Sequence, residues 1–119
     1  MREFLLLIRT EGECSEKMPP DLHKVHLQKV INYIGNLKST GRLISAQPLT
    51  MVGSILQGKG NSFKDGPFIE SKEVIAGYFH FRADSLEEAK AIAREHPLLT
   101  DDETARIEVR EIKHEEGIN

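Results

Sequence analysis

The sequence predicts an α+β domain of the split βαβ type, two helices covering one face of an antiparallel sheet. Three observations predict it. A short apolar run, FLLLI at 4–8, precedes a long segment whose apolar residues recur every three or four positions. A second run, EVIAGYFHFRA at 73–83, is rich in β-branched and aromatic residues and precedes another helical pattern. The chain then passes through ARIEVREI at 105–112, which alternates apolar with charged residues as a strand with one wet face does. With 119 residues, one domain spanning 1–119 and one modest core are expected.

Each element follows from local chemistry. Phe4 to Ile8 is too short for a helix of normal length and suits a strand buried on both faces. After TEGECSEKMPP, Pro19 and Pro20 can open a helix over DLHKVHLQKVINYIGNLKSTG, where Leu22, Val25, Leu27, Val30, Ile31, Ile34 and Leu37 form the apolar stripe and Gly41 supplies the left-handed stop. RLISAQPL follows as a strand with Pro48 near its end, where a missing donor does least harm. MVGSILQ offers another short strand, GKGN a turn, and KDGPF a second turn. Asp84 or Ser85 caps the second helix, LEEAKAIAREH, which carries Glu87 and Glu88 in its first turn and ends before Pro97.

Composition narrows the function. Basic residues number 16 against 19 acidic, and the net charge of −3 without any basic cluster argues against a nucleic-acid partner. Cys14 is the single cysteine, so an internal disulfide and the four-ligand cysteine zinc patterns are excluded and a reducing compartment is favoured. No stretch approaches the ~20 apolar residues that cross a bilayer, and FLLLI lacks the features of a secretory signal. A cytoplasmic protein without membrane contact is the expectation.

In the long strand EVIAGYFHFRA, Ile75, Gly77, Phe79 and Phe81 are expected to share the helix-facing side, while Val74, Ala76, Tyr78, His80 and Arg82 share the other. The second set is too apolar to stand in water and too polar for a dry core. A homodimer that pairs two such faces around a small-molecule pocket resolves that conflict.

Several residues carry candidate chemistry. Asp65-Gly66-Pro67 suits a turn anchored by Phe68, and the rim of a site is the competing reading. Glu70, Lys72 and Glu73 can serve as acid, base or substrate clamp, or form a solvated ion-pair network. His80 beside Tyr78 pairs a group that exchanges protons near neutrality with a phenol that can donate to an oxyanion, although no partner carboxylate can be named. His23 and His26, three apart on one helix, suit a metal only if a carboxylate approaches, and no metal site is expected. His96, before Pro97, reads as a helix-end residue whose cationic form would favour the C-terminus. GKGN lacks the placement of a phosphate loop, and Cys14 lacks a basic neighbour to activate it.

Asp65, Gly66, Pro67 and Phe68, followed by Glu70, Lys72, Glu73 and then Gly77-Tyr78, resemble the signature of the YCII-related, or DGPF-domain, family. The resemblance continues through GRLISAQPL, DSLEEA and IEVREI and covers nearly the whole chain. It implies a ferredoxin-like fold assembled as a dimeric α/β barrel. It further implies small lyase-, isomerase- or dehalogenase-like proteins and, for some members, association with sigma-factor-like transcription proteins. In the YciI branch a histidine and an aspartate on and after the first helix are the implied active pair. His26 matches the histidine, but Ser39 or Thr40 stands where the aspartate is expected.

Together these readings favour a small-molecule-binding homodimer with cofactor-free acid/base chemistry of the lyase or isomerase kind. Tyr78, His80 and His26 would line its pocket, and the DGPF loop would form the mouth. The alternative is a non-catalytic interaction or regulatory module.

Overall fold

Phe4, Leu6, Ile8 and Thr10 are buried while Leu5, Leu7 and Arg9 between them are half-buried, so the first strand alternates where a run buried on both faces was expected. This strand, β1 (Arg2–Glu11), is twice the length of the apolar run that predicts it. The computed structural model describes residues 1–11, 18–58, 64–66 and 73–114. In order after β1 come α1 (Pro20–Ser39), β2 (Leu43–Pro48), β3 (Ile55–Gln57), β4 (Lys64–Gly66), β5 (Glu73–Ala83), α2 (Leu86–Arg94), α3 (Leu98–Asp101) and β6 (Arg106–Glu111). The main sheet is antiparallel with order β2-β5-β1-β6. β3 and β4 form a separate two-stranded pair, which makes Lys64–Gly66 strand where a turn was expected.

Phe4, Leu6 and Ile8 of β1, Phe79 and Phe81 of β5, Tyr33 and Leu37 of α1, and Ala89 and Ala93 of α2 make the core. Burying each large apolar side chain contributes about 1.5–3 kcal/mol, so Phe4, Leu6 and Phe81, all fully enclosed, anchor the sheet to the helices. The N-terminal boundary of α1 is set by Pro20 in its first turn. At its other end Gly41 takes φ +72°, and the N–H groups of Arg42 and Gly41 return to the carbonyls of Leu37 and Lys38, a Schellman closure. Ser85 caps α2 by accepting the Glu88 N–H at 3.2 Å, and the Glu88 carboxylate binds Arg42 and the Asp84 N–H.

Two departures from simple periodicity shape the sheet. In β5, Gly77 pairs with Ile8 and Ile75 with Arg9, leaving Ala76 as the extra residue of a bulge. Alternation therefore reverses there: Val74 is 5% exposed and faces the core, whereas Ile75, expected inside, is 39% exposed. In α1 the inward residues are His26, Tyr33 and Leu37, and Leu22, Val25, Leu27 and Ile31 of the expected stripe are exposed. The helix thus turns two polar rings toward the sheet.

Candidate functional site

His23, His26, Val30, Tyr33 and Leu37 follow one another at spacings of three and four, which places them on one side of α1 above β2 and β5. Beneath that side lies a cavity of about 230 Å³. Ile8, Val30, Ile34, Phe79 and Leu98 give it apolar walls, the Ala46–Pro48 segment of β2 and Gly77 close its edge, and His23, His26 and His96 bring imidazoles to it. Gly77 suits the close approach of β2, because a Cβ there would stand 3.1 Å from the Gln47 carbonyl oxygen and press on that strand. A larger, open groove of about 390 Å³ on the other flank of α1 is bordered by Lys29, Asn32, Tyr33 and Glu95, but none of the three imidazoles reaches it.

His26 is 7% exposed, and its Nδ1 lies 2.7 Å from Oδ2 of Asp101, whose side chain is 6% exposed. Lys29, one turn along α1, donates to the other carboxylate oxygen at 3.1 Å. The hydrogen bond from His26, reinforced by that from Lys29, holds the Asp101 carboxyl below the usual carboxylate range despite burial. An ionised carboxylate can only accept, so the proton of neutral His26 resides on Nδ1 and Nε2 carries the free lone pair. Asp101 does not line the cavity, so it orients the imidazole from behind.

His96 is arranged in the opposite sense. It is 3% exposed, and its Nδ1 accepts the Leu98 N–H at 3.1 Å. Tyr33 and Phe79 pack against its ring edge to face, with centroids at 5.0 and 5.3 Å. Burial, with a smaller contribution from nearby His26, pushes its pKa down to about 4. The expectation of a helix-end cation is corrected accordingly: His96 is a neutral, enclosed ring. Among the described residues, the buried side-chain polar atoms without a hydrogen-bond partner are His23 Nδ1 and His96 Nε2. Both residues line this cavity.

The other predicted residues lie elsewhere. Tyr78 and His80 project from the opposite face of β5, so they do not share a cavity with His26 within one chain. His80 does have a carboxylate partner that the sequence did not reveal: its Nε2 is 2.6 Å from Glu3 Oε1. Asp65 lies in β4 opposite Leu56, and Glu73 opens β5 opposite Glu11. Phe68, Glu70 and Lys72, together with Cys14, fall outside the described residues. Among the described residues no group of three or more His, Cys, Asp or Glu side chains is placed to hold a metal ion. Nor is any described helix long and apolar enough to cross a membrane. The residue that sequence reasoning missed is Asp101. Its signal was Pro97, which both stops α2 and starts α3, the four-residue helix that delivers the carboxylate.

A family model described as the YCII-related domain matches residues 4–113. Among solved structures, the chain is similar to 5-chloro-2-hydroxyhydroquinone dehydrochlorinase (TftG) from Burkholderia phenoliruptrix AC1100, in complex with 2,5-dihydroxybenzoquinone. The two share 18% sequence identity over 95% of each chain, with a TM-score of 0.51, a likeness of fold. No curated protein is matched.

Proposed function

Because the chain belongs to the YCII-related family, we propose that it binds a small molecule in the α1–β5 cavity and moves a proton there without a cofactor, with His26 as acid/base and Asp101 as its orienting group. The observation that carries this reading is the enclosed 2.7 Å His26–Asp101 pair at the cavity wall. A carboxylate behind Nδ1 fixes the tautomer that offers Nε2 as base and stabilises the imidazolium that forms, and positioned acid/base groups of this kind contribute about 10²–10⁴-fold to rate. The volume matches a single substituted ring, since an apolar cavity of about 150 Å³ already takes benzene. The named activity of the structural neighbour, loss of HCl from a chlorinated hydroxyhydroquinone, is a proton-transfer reaction of a ring of that size.

The test is to offer 5-chloro-2-hydroxyhydroquinone and related hydroxylated or carbonyl-bearing rings, following chloride release and deuterium uptake from solvent. Catalysis by the native chain, reduced about 10²–10⁴-fold in His26→Gln and substantially in Asp101→Asn, is the expected result. Equal rates in native chain and His26→Gln would remove His26 from the chemistry.

A homodimer is the second part of the proposal. On the helix-free face Leu5, Leu7 and Tyr78 are half-buried, while Glu3–His80 and Arg9–Glu108–Arg110 ion pairs surround them. Such a patch suits burial against a second copy, which would place the His80–Glu3 pair and Tyr78 at the junction as a subsidiary polar site. The reading as a non-catalytic interaction module draws on a different feature, the exposed Val25 and Ile31 of α1.

A further inference from the structure

Two buried imidazole nitrogens lack partners, and both belong to residues that line the cavity with His26. A buried polar hydrogen left unpaired is costly, and native structures retain one chiefly where a ligand, ion or water supplies the acceptor. For His96 the identity of the free atom is settled by the backbone. The Leu98 N–H can only donate, so Nδ1 must accept and the ring proton must sit on Nε2. Leu98 itself lines the cavity and opens α3, and the Tyr33 and Phe79 rings fix the imidazole plane. The residues lining the cavity thus include His96, whose Nε2–H has no partner, and His26, whose Nε2 keeps its lone pair.

We propose that His96 is the hydrogen-bond donor of this site, offering Nε2–H to a ligand oxygen, and that the cavity selects small single-ring molecules bearing a hydroxyl or an enolisable carbonyl. A hydroxyl satisfies both groups at once, donating to His26 and accepting from His96. When His26 takes the hydroxyl proton, the O–H electron pair stays on that oxygen. With a carbonyl, His26 takes the α-carbon proton, the C–H pair becomes the new C=C bond, and the carbonyl π pair moves to oxygen. In either case the negative oxygen receives the His96 hydrogen bond. A neutral imidazole suits this role because it stabilises the oxyanion without surrendering its own proton.

This assignment rests on the proposed use of the cavity, yet its test needs no turnover. The probes are 4-fluorophenol and fluorobenzene, matched rings with and without the oxygen, titrated by ¹⁹F NMR into native chain and His96→Phe. The native chain is expected to prefer the phenol, and His96→Phe, which keeps a flat ring, to lose about tenfold of that preference while still binding fluorobenzene. Independently of any variant, ¹⁵N NMR of the native chain should show His96 as the neutral Nε2–H tautomer at pH 7, with that nitrogen shifting when 4-fluorophenol is added. A protonated or Nδ1–H ring, no native preference for the phenol, or an unchanged preference in His96→Phe would overturn the proposal. Catalytic failure of His26 with these binding results intact would count against the acid/base reading alone.

Discussion

Two imidazoles on one cavity are held in opposite tautomers by what stands behind them, a carboxylate for His26 and a backbone N–H for His96. The second arrangement has a measurable consequence for stability. A histidine that titrates near 6.5 when unfolded and at about 4 when folded binds its proton more readily in the unfolded chain. Stability is therefore complete above pH 6.5 and falls as pH drops toward 4, by about 3 kcal/mol in all. Melting temperatures measured from pH 7.5 to 4 should show this decline, and His96→Phe should flatten it. Below pH 4 the decline should continue in both chains as Asp101, held ionised by His26 and Lys29, is forced to take a proton. Tyr33 presents a different case. Its hydroxyl donates to the Ile92 carbonyl at 2.6 Å and ties α1 to α2, and enclosure raises its pKa far above the usual phenol value. Tyr33→Phe should cost about 0.5–1.5 kcal/mol in urea unfolding. At this scale His26 was legible through its resemblance to a family histidine. Its carboxylate was not, because the implied position holds Ser39 or Thr40 and the actual partner is 75 residues away.

Among the elements, strand and helix types were legible wherever composition was strongly biased. β1, α1, β2, β5, α2 and β6 all stand where the periodicity put them. Facing was less legible. The reading of β5 assumed unbroken alternation, and no residue in EVIAGYFHFRA announces that Ala76 will be left over when β5 pairs with β1. Of the stripe on α1, Val30, Ile34 and Leu37 do face inward, but Leu22, Val25, Leu27 and Ile31 are exposed. Apolarity alone does not mark the inward side of a helix that turns His26 and Tyr33 toward the sheet and leaves Ile31 60% exposed. α3 escaped notice because four residues are too few to show a period. Gly77 is where element packing can be tested most directly. A methyl group there meets the Gln47 oxygen at 3.1 Å and the Pro48 Cα at 3.4 Å, both backbone atoms that cannot rotate away. Gly77→Ala should displace β2 from β5, costing about 1–3 kcal/mol in urea unfolding and weakening binding of any cavity ligand.

For the molecule as a whole, the proposed dimer predicts a solution mass twice the 13.4 kDa of the chain. Light scattering should report that value, and Leu7→Glu, which sets a charge in the middle of the helix-free face opposite Tyr78 and Glu108, should shift it toward one copy. A native chain that stays single at high micromolar concentration would sink the dimer and leave the cavity proposal standing. The family and the α+β layering were readable from the sequence because both rest on runs of many residues. The location of the cavity was not, since it depends on which flank of α1 overhangs β2. Asp101 reaches His26 from the other end of the fold, carried by a single helical turn that begins just past Pro97. During synthesis the ribosome therefore releases the histidine long before the aspartate. A nascent polypeptide that stops anywhere upstream of position 101 retains an imidazole without that carboxylate behind it, so the pair comes into being only once residue 101 has been added.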